Sequence, residues 1–204
     1  MKKIPTLFVK EYTDSHSYTM SRQVTPGMEW VLEGGGLATL KWDGTPVYYD
    51  PTTKDYPWRG WLKRYDLKPG RKLTSIYCIP CQEKADEVTG HFPHWIPVKW
   101  DDPADRYICD AIRDFVRCNA QIPNGSFEAI GFGINGNPYN MKGNCLLYHG
   151  SAPLYNVPRD YDGLREWLAS HDALEGIVFW LDGEPRCKIR RVDFGFKWNG
   201  RGGE

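Results

Sequence analysis

Thr39-Leu40-Lys41-Trp42-Asp43-Gly44-Thr45 is the stretch from which the rest of the chain is read. Residues 37–41 predict a strand that runs into the tight turn Asp43-Gly44, and residues 47–49 predict its return. A lysine at the end of a strand is held by a rigid element, while the turn beyond it leaves room for a ligand. Lysine attacks only as the free amine, against a reference pKa of about 10.4, so neighbouring cations or desolvation have to lower it. Taken alone, Lys-x-Asp-Gly contains two common turn formers and describes a surface hairpin more often than an active site.

Working outward, 21 glycines and 15 prolines break the chain often and predict short strands. Apolar stretches of strand character lie at residues 73–79, 127–132, 145–148, 174–181 and 187–192. The Asp182-Gly183 turn between the last two is a hairpin signal. Asp102 can cap a helix with Pro103 at its first position, placing Ile108, Ala111, Ile112 and Phe115 on one face. Asp160 can cap a second helix whose buried stripe is Tyr161, Leu164 and Leu168. Strands before, between and after two helices predict an α+β fold rich in antiparallel sheet, with residues 1–204 as a single domain. The tail 199–204 should fray.

Basic and acidic side chains balance at 26 each, so any nucleic-acid binding must use a local patch. One basic run is Lys54, Arg59, Lys63, Arg64, Lys68, Arg71 and Lys72; the other is Arg186, Lys188, Arg190, Arg191, Lys197 and Arg201. Such runs are usually solvated faces. An acidic stretch (Asp101, Asp102, Asp105, Asp110, Asp114) shows that charge is segregated along the chain. The aromatic share, 14%, raises nucleotide binding only slightly, because rings also fill cores. No segment reads as a signal peptide or a membrane span, and six cysteines without a secretory signal read as reduced thiols. A cytoplasmic protein without a membrane association is the expectation.

Three further segments bear on Lys41. Ser126-Phe127-Glu128-Ala129-Ile130-Gly131 and Leu174-Glu175-Gly176-Ile177-Val178-Phe179 each place one acid in an apolar run. Arg186-Cys187-Lys188-Ile189-Arg190 puts two cations two apart, hence on one strand face. Acids in such surroundings should be paired or face a site, because burying a lone charge is costly.

In order and spacing these segments resemble motifs I, III, IV and V of the covalent nucleotidyltransferases: DNA ligases, RNA ligases and mRNA-capping enzymes. The RNA ligase 1 family is the closer likeness, through Lys41-Trp42-Asp43-Gly44-Thr45, Thr89-Gly90-His91-Phe92-Pro93-His94-Trp95-Ile96-Pro97-Val98 and Ile134-Asn135-Gly136-Asn137-Pro138-Tyr139. The likeness spans residues 36–198 and implies a nucleotidyltransferase fold of antiparallel sheets with a few flanking helices. It implies an ATP-dependent RNA ligase that joins 5′-phosphate and 3′-hydroxyl RNA ends through lysyl-AMP at Lys41. Asp43 and Glu128 would contact the nucleotide, Glu128 through the ribose. Glu175 would help hold Mg²⁺ or Mn²⁺, and Lys188 and Arg190 would face the phosphate. Families of this kind usually carry a lysine where this chain has Arg190, and arginine's fixed fork alters the contact geometry. Lys63 and Arg64 are candidates for triphosphate or RNA phosphate, with at least one of them expected to be solvated surface. Tyr148 could stack on adenine or pack in the core.

The same chemistry leaves a DNA ligase or a GTP-using capping enzyme as alternatives, and a non-catalytic nucleic-acid-binding protein as a third. The sequence stops about a dozen residues after motif V, which leaves no room for a C-terminal OB domain and favours a minimal RNA ligase. Cys78, Cys81, His91 and His94 stand in zinc-finger-like order, but the histidines are unusually close together; buried thiols followed by a surface loop is the preferred reading.

Overall fold

A computed structural model describes residues 1–13 and 17–198. The tail 199–204, with Arg201, lies outside the described residues. Along the chain run β1 (Phe8–Tyr12), β2 (Tyr18–Val24), β3 (Leu37–Lys41), β4 (Thr45–Tyr49), β5 (Trp61–Leu67), β6 (Ile79–Pro80) and β7 (Phe92–Pro97). Then come α1 (Arg106–Cys118), β8 (Gly125–Gly131), β9 (Asn144–Tyr148), α2 (Tyr161–Ser170), β10 (Gly176–Leu181) and β11 (Glu184–Arg190). Antiparallel sheets with two helices make this an α+β protein. The chain divides into two compact units. An inserted unit comprises Met1–Lys3 and Asp43–His149, and a framing unit comprises Ile4–Trp42 and Gly150–Glu204.

The inserted unit is built on a six-stranded antiparallel sheet in the order β6-β7-β5-β4-β8-β9. Val47 stands opposite both Lys63 and Phe127, and directly opposed residues share a face. On that face Val47, Trp61, Phe127 and Ala129 are buried with Ile108, Ala111 and Ile112 of α1. Each fully buried aliphatic or aromatic side chain there contributes about 1.5–3 kcal/mol. Asp102 caps as the sequence suggests, accepting from the Ala104 N–H at 2.9 Å. It caps a short 3₁₀ turn, Pro103–Asp105, and α1 begins one residue later.

The framing unit holds the three-stranded antiparallel sheet β11-β10-β3 and the hairpin β1-β2. Alternation sends Ala38, Ile177, Phe179, Cys187 and Ile189 to one face, where they meet Leu164 and Leu168 of α2, Leu7 and Phe8. Asp160 caps α2 by accepting from the Gly163 N–H at 2.9 Å. The Asp182-Gly183 turn joins β10 to β11 with both residues left-handed (φ 54° and 75°), which the tight hairpin requires.

The strand expected over residues 73–79 reduces to its last residue in β6. The Ser75 hydroxyl donates to the Tyr77 carbonyl at 2.6 Å, a local bond that competes with a sheet ladder. Strands β1, β2, β5 and β7 lack a clean apolar signature: β5 carries Lys63, Arg64 and Asp66 without regular alternation, and β7 carries Pro93 and Pro97. Several aromatic rings fill cores. Tyr48 stacks on Trp95 at 5.5 Å, and Trp58 packs between Tyr56 and Tyr77.

Candidate active site

In the framing unit, Lys41 ends β3 opposite Gly176 of β10, which stands opposite Arg190 of β11. One step along, Thr39, Val178 and Lys188 form the next cross-strand row. Lys41, Lys188 and Arg190 therefore lie on one face of this sheet, opposite the face that packs on α2. Gly176 must be bare: a Cβ there would lie 2.3 Å from the Ile189 carbonyl oxygen and 2.8 Å from Arg190 Cα. The close approach of β10 and β11 sets the spacing of the three cations.

Lys41 Nζ donates to Glu175 Oε2 at 2.6 Å. Glu175 is buried at the entry to β10, and its carbonyl accepts from the Arg191 N–H at 2.9 Å. Burial, with the charges of Lys41 and Arg190 beside it, pushes the Lys188 ammonium down to a pKa of about 7. Lys188 therefore gives up its proton more easily than an ordinary lysine.

Arg190 forks onto Asp193, with Nη2 to Oδ1 at 2.7 Å and Nε to Oδ2 at 3.2 Å, and Nη2 also reaches the Tyr18 hydroxyl at 3.2 Å. Burial opposes its charge, but Asp193 outweighs burial and holds the guanidinium pKa above its ordinary value. Asp193 shows the reverse balance. Burial alone would raise its pKa, and Arg190, Tyr18 and Lys10 keep it lowered. The Tyr18 hydroxyl donates to Asp193 at 2.7 Å, and the Lys10 ammonium sits 3.8 Å over the Tyr18 ring. The arginine at this position is thus anchored bidentately, as a more mobile lysine would not be.

Two residues past Lys41 the chain enters the inserted unit. There the Asp43 N–H donates to the Tyr139 hydroxyl at 2.7 Å, and Asn135 donates to Asp43 Oδ1 at 3.0 Å and to the Gly44 carbonyl. Gly44 lies against β8, where a Cβ would come within 2.2 Å of the Ala129 carbonyl oxygen and 2.9 Å of Glu128 Cγ. The turn is pinned onto the strand that carries Glu128. Glu128 is buried, and its Oε2 lies 2.7 Å from His149 Nε2; His149 Nδ1 lies 2.9 Å from Ser126 Oγ.

Lys63 and Tyr148 lie elsewhere. Lys63 shares the α1 face with Val47, whereas Glu128 points to the other face with Pro46 and Leu147. The Lys63 ammonium is ion-paired to Asp105, which is 1% exposed. Tyr148 packs edge-on against Phe127 at 5.1 Å, also on the α1 face. Arg64 bonds to Asp66 at 2.8 Å. Among the described residues, no group of three or more His, Cys, Asp or Glu side chains is placed to hold a metal ion. Of the zinc-finger-like set, Cys78 is exposed, and His94 is buried edge-on to Phe92.

Tyr18, Asp193 and His149 escaped the sequence reading, and Asn135 and Tyr139 entered it only within the segment 134–139, without a role. Local spacing could have pointed to one of them, since Asp193 lies one 3₁₀ turn past Arg190. Tyr18, 175 residues from Asp193, left no local signal.

A buried carboxylate thus holds the strand-end lysine, and two more cations share the same sheet face. Residues 116–202 match the model of the RNA ligase 1 family, a span that includes Glu128, Glu175, Lys188 and Arg190 and begins after Lys41. The chain is also similar to zebrafish (Danio rerio) RNA ligase 1, at 25% identity over 137 residues. That alignment takes in 53% of this chain and 42% of the relative, so the chain spans less than half the length of the protein it matches. The chain is close to the RNA ligase 1 family.

Proposed function

We propose that this chain has a nucleotidyltransferase fold and is an ATP-dependent RNA ligase that works through a covalent lysyl-AMP at Lys41. The observation that carries the reading is the 2.6 Å bond from Lys41 to buried Glu175, with Lys188 and Arg190 on the same sheet face. In this reading the free Lys41 amine attacks the α-phosphorus of ATP. A P–N bond forms, the bond to pyrophosphate breaks, and the amine loses a proton. The AMP then passes to an RNA 5′-phosphate, and an RNA 3′-hydroxyl displaces it to form the phosphodiester.

Lys188 and Arg190 oppose the charge that gathers on the phosphorus centre, and the Asp193 anchor keeps Arg190 from having to reorganise. Glu128, steadied by His149, would take the ribose, and Asp43 would shape the turn beside it. A triphosphate contact by Lys63 requires its pair with Asp105 to open. Glu175 would supply one oxygen ligand to Mg²⁺ or Mn²⁺, ions commonly held by one or two carboxylates together with waters and substrate phosphates. When bound, the ion would neutralise phosphate charge. Free thiols at all six cysteines support a reducing, cytoplasmic setting. Among the described residues, no helix is long and apolar enough to cross a membrane.

The test is incubation with α-labelled ATP or GTP and Mg²⁺, followed by denaturation. ATP label should survive on the wild type and vanish in Lys41→Ala. Absence of any adduct would sink the reading, and label from GTP alone would turn it toward capping.

A further inference from the structure

We propose that the inserted unit carries a binding groove for unpaired RNA on the face of the six-stranded sheet opposite Glu128. It rests on the ligase reading only for the choice of RNA over DNA. A cavity of about 920 Å³ opens beside α1, lined in part by Lys54, Tyr56, Arg59, Trp100, Arg113 and Arg117. Four cations and one acid, Asp55, line it, and two of the cations, Arg113 and Arg117, are paired with Asp110 and Asp114 of α1. The remaining excess of positive charge complements a polyanion.

The aromatic rings decide which polyanion. Tyr56 is 54% exposed and lies 4.7 Å from the Trp58 ring at an interplanar angle of 12°, which leaves a flat outer face. The Trp100 ring is flanked by Arg59 at 5.4 Å and Arg113 at 5.6 Å. The exposed Tyr56 ring can stack on an unpaired base while the guanidiniums that flank the half-buried Trp100 follow the phosphates. A duplex hides its base faces, and an acidic peptide has none.

Arg113 and Arg117 are paired with Asp110 at 2.8 Å and Asp114 at 2.9 Å. All four side chains are more than half exposed, so these bonds are weak and can be exchanged for phosphate. Arg59 is held in the left-handed region (φ 55°) by its N–H bond to the Tyr56 carbonyl at 2.8 Å, which fixes the strand-side cation next to the stacking ring.

The test measures binding of a short, unpaired, 5′-phosphorylated oligoribonucleotide to the intact chain by fluorescence anisotropy across a salt series. Arg113→Gln with Arg117→Gln should weaken binding about tenfold and reduce the slope of log K against log salt by about 1.4, at about 0.7 per phosphate contact on a single strand. Tyr56→Ala should weaken binding about five- to tenfold and leave the slope unchanged. Lys84→Gln removes an exposed charge elsewhere on the same unit and should leave affinity as it was. Melting curves confirm that each variant is folded.

Wild-type affinity and slope in the double variant would overturn the groove. So would failure of the wild type to bind RNA, equal binding of duplex RNA, or displacement of the RNA by poly-glutamate at matched charge. The ATP-labelling assay separates the two proposals. RNA affinity that falls in the variants while the wild type takes no label would uphold the groove and remove the ligase reading.

Discussion

Replacing Lys63 by methionine separates a structural ion pair from a nucleotide contact. Asp105 is 1% exposed, and its carboxylate takes the Lys63 ammonium and, at 2.9 Å, the Lys99 N–H. Methionine matches the stem of lysine but leaves the buried carboxylate with one N–H donor. Breaking a buried pair from one side costs about 3–5 kcal/mol. The surviving Lys99 bond, and a Lys63 side chain that keeps 20% of its exposure, put this case at the low end, about 3 kcal/mol. Asp105→Asn leaves an ammonium that can swing toward water and should cost less, about 1–2 kcal/mol. The double variant should then cost clearly less than the sum, with a coupling of about 2 kcal/mol. Urea unfolding followed by tryptophan fluorescence measures all three, and ATP labelling of the same samples reports on nucleotide handling. If Lys63→Met shifts stability by under about 0.5 kcal/mol, as an ordinary surface change does, and yet abolishes labelling, the ion-pair reasoning is wrong.

Lys188 should make stability depend on pH. Its folded pKa of about 7 lies below the ordinary 10.5, so between those values the unfolded chain binds the extra proton and stability rises with pH. The slope in that window should approach about 1.4 kcal/mol per pH unit, and Lys188→Met should flatten it between pH 7 and 9 in urea titrations; an unchanged slope would contradict this. Gly176→Ala changes no charge, yet its Cβ would meet the Ile189 carbonyl oxygen at 2.3 Å. It should cost at least about 1–3 kcal/mol and reduce labelling by displacing Arg190 relative to Lys41, so wild-type melting would be the adverse result. His149→Ala leaves the Glu128 carboxylate without its imidazole partner. The ATP concentration needed for half-maximal labelling should rise several-fold, and an unchanged value would detach His149 from nucleotide binding.

The part of the site that alternation governs was legible in the sequence. Lys188 and Arg190 are two apart and share a face, and the Asp182-Gly183 turn places them beside the strand that follows Glu175. What joined Lys41 to them was the pairing of β3 with β10, which no local pattern specifies. The face occupied by Lys63 depends on the β4–β5 register, and β5 itself was missed because its charged residues leave no regular apolar alternation. The Arg190–Asp193 fork, the Tyr18 cap on it and the Glu128–His149 bond are tertiary contacts, and the residue types that make them are ordinary polar ones. The helix caps Asp102 and Asp160 were legible because capping is a local hydrogen bond.

The interruption of the framing unit by the inserted one has a consequence for synthesis. Lys41 and Glu175 are separated by 134 positions, so β3 emerges from the ribosome well before the strand it needs. At about 5–20 residues per second, the delay is roughly 7–27 s. During that interval the lysine has neither its carboxylate nor the cations of β11, and the Arg190 anchor must wait for Asp193. The order in which its parts are made thus leaves the framing sheet open until the last strands arrive, and the inserted unit has time to collapse before that sheet closes.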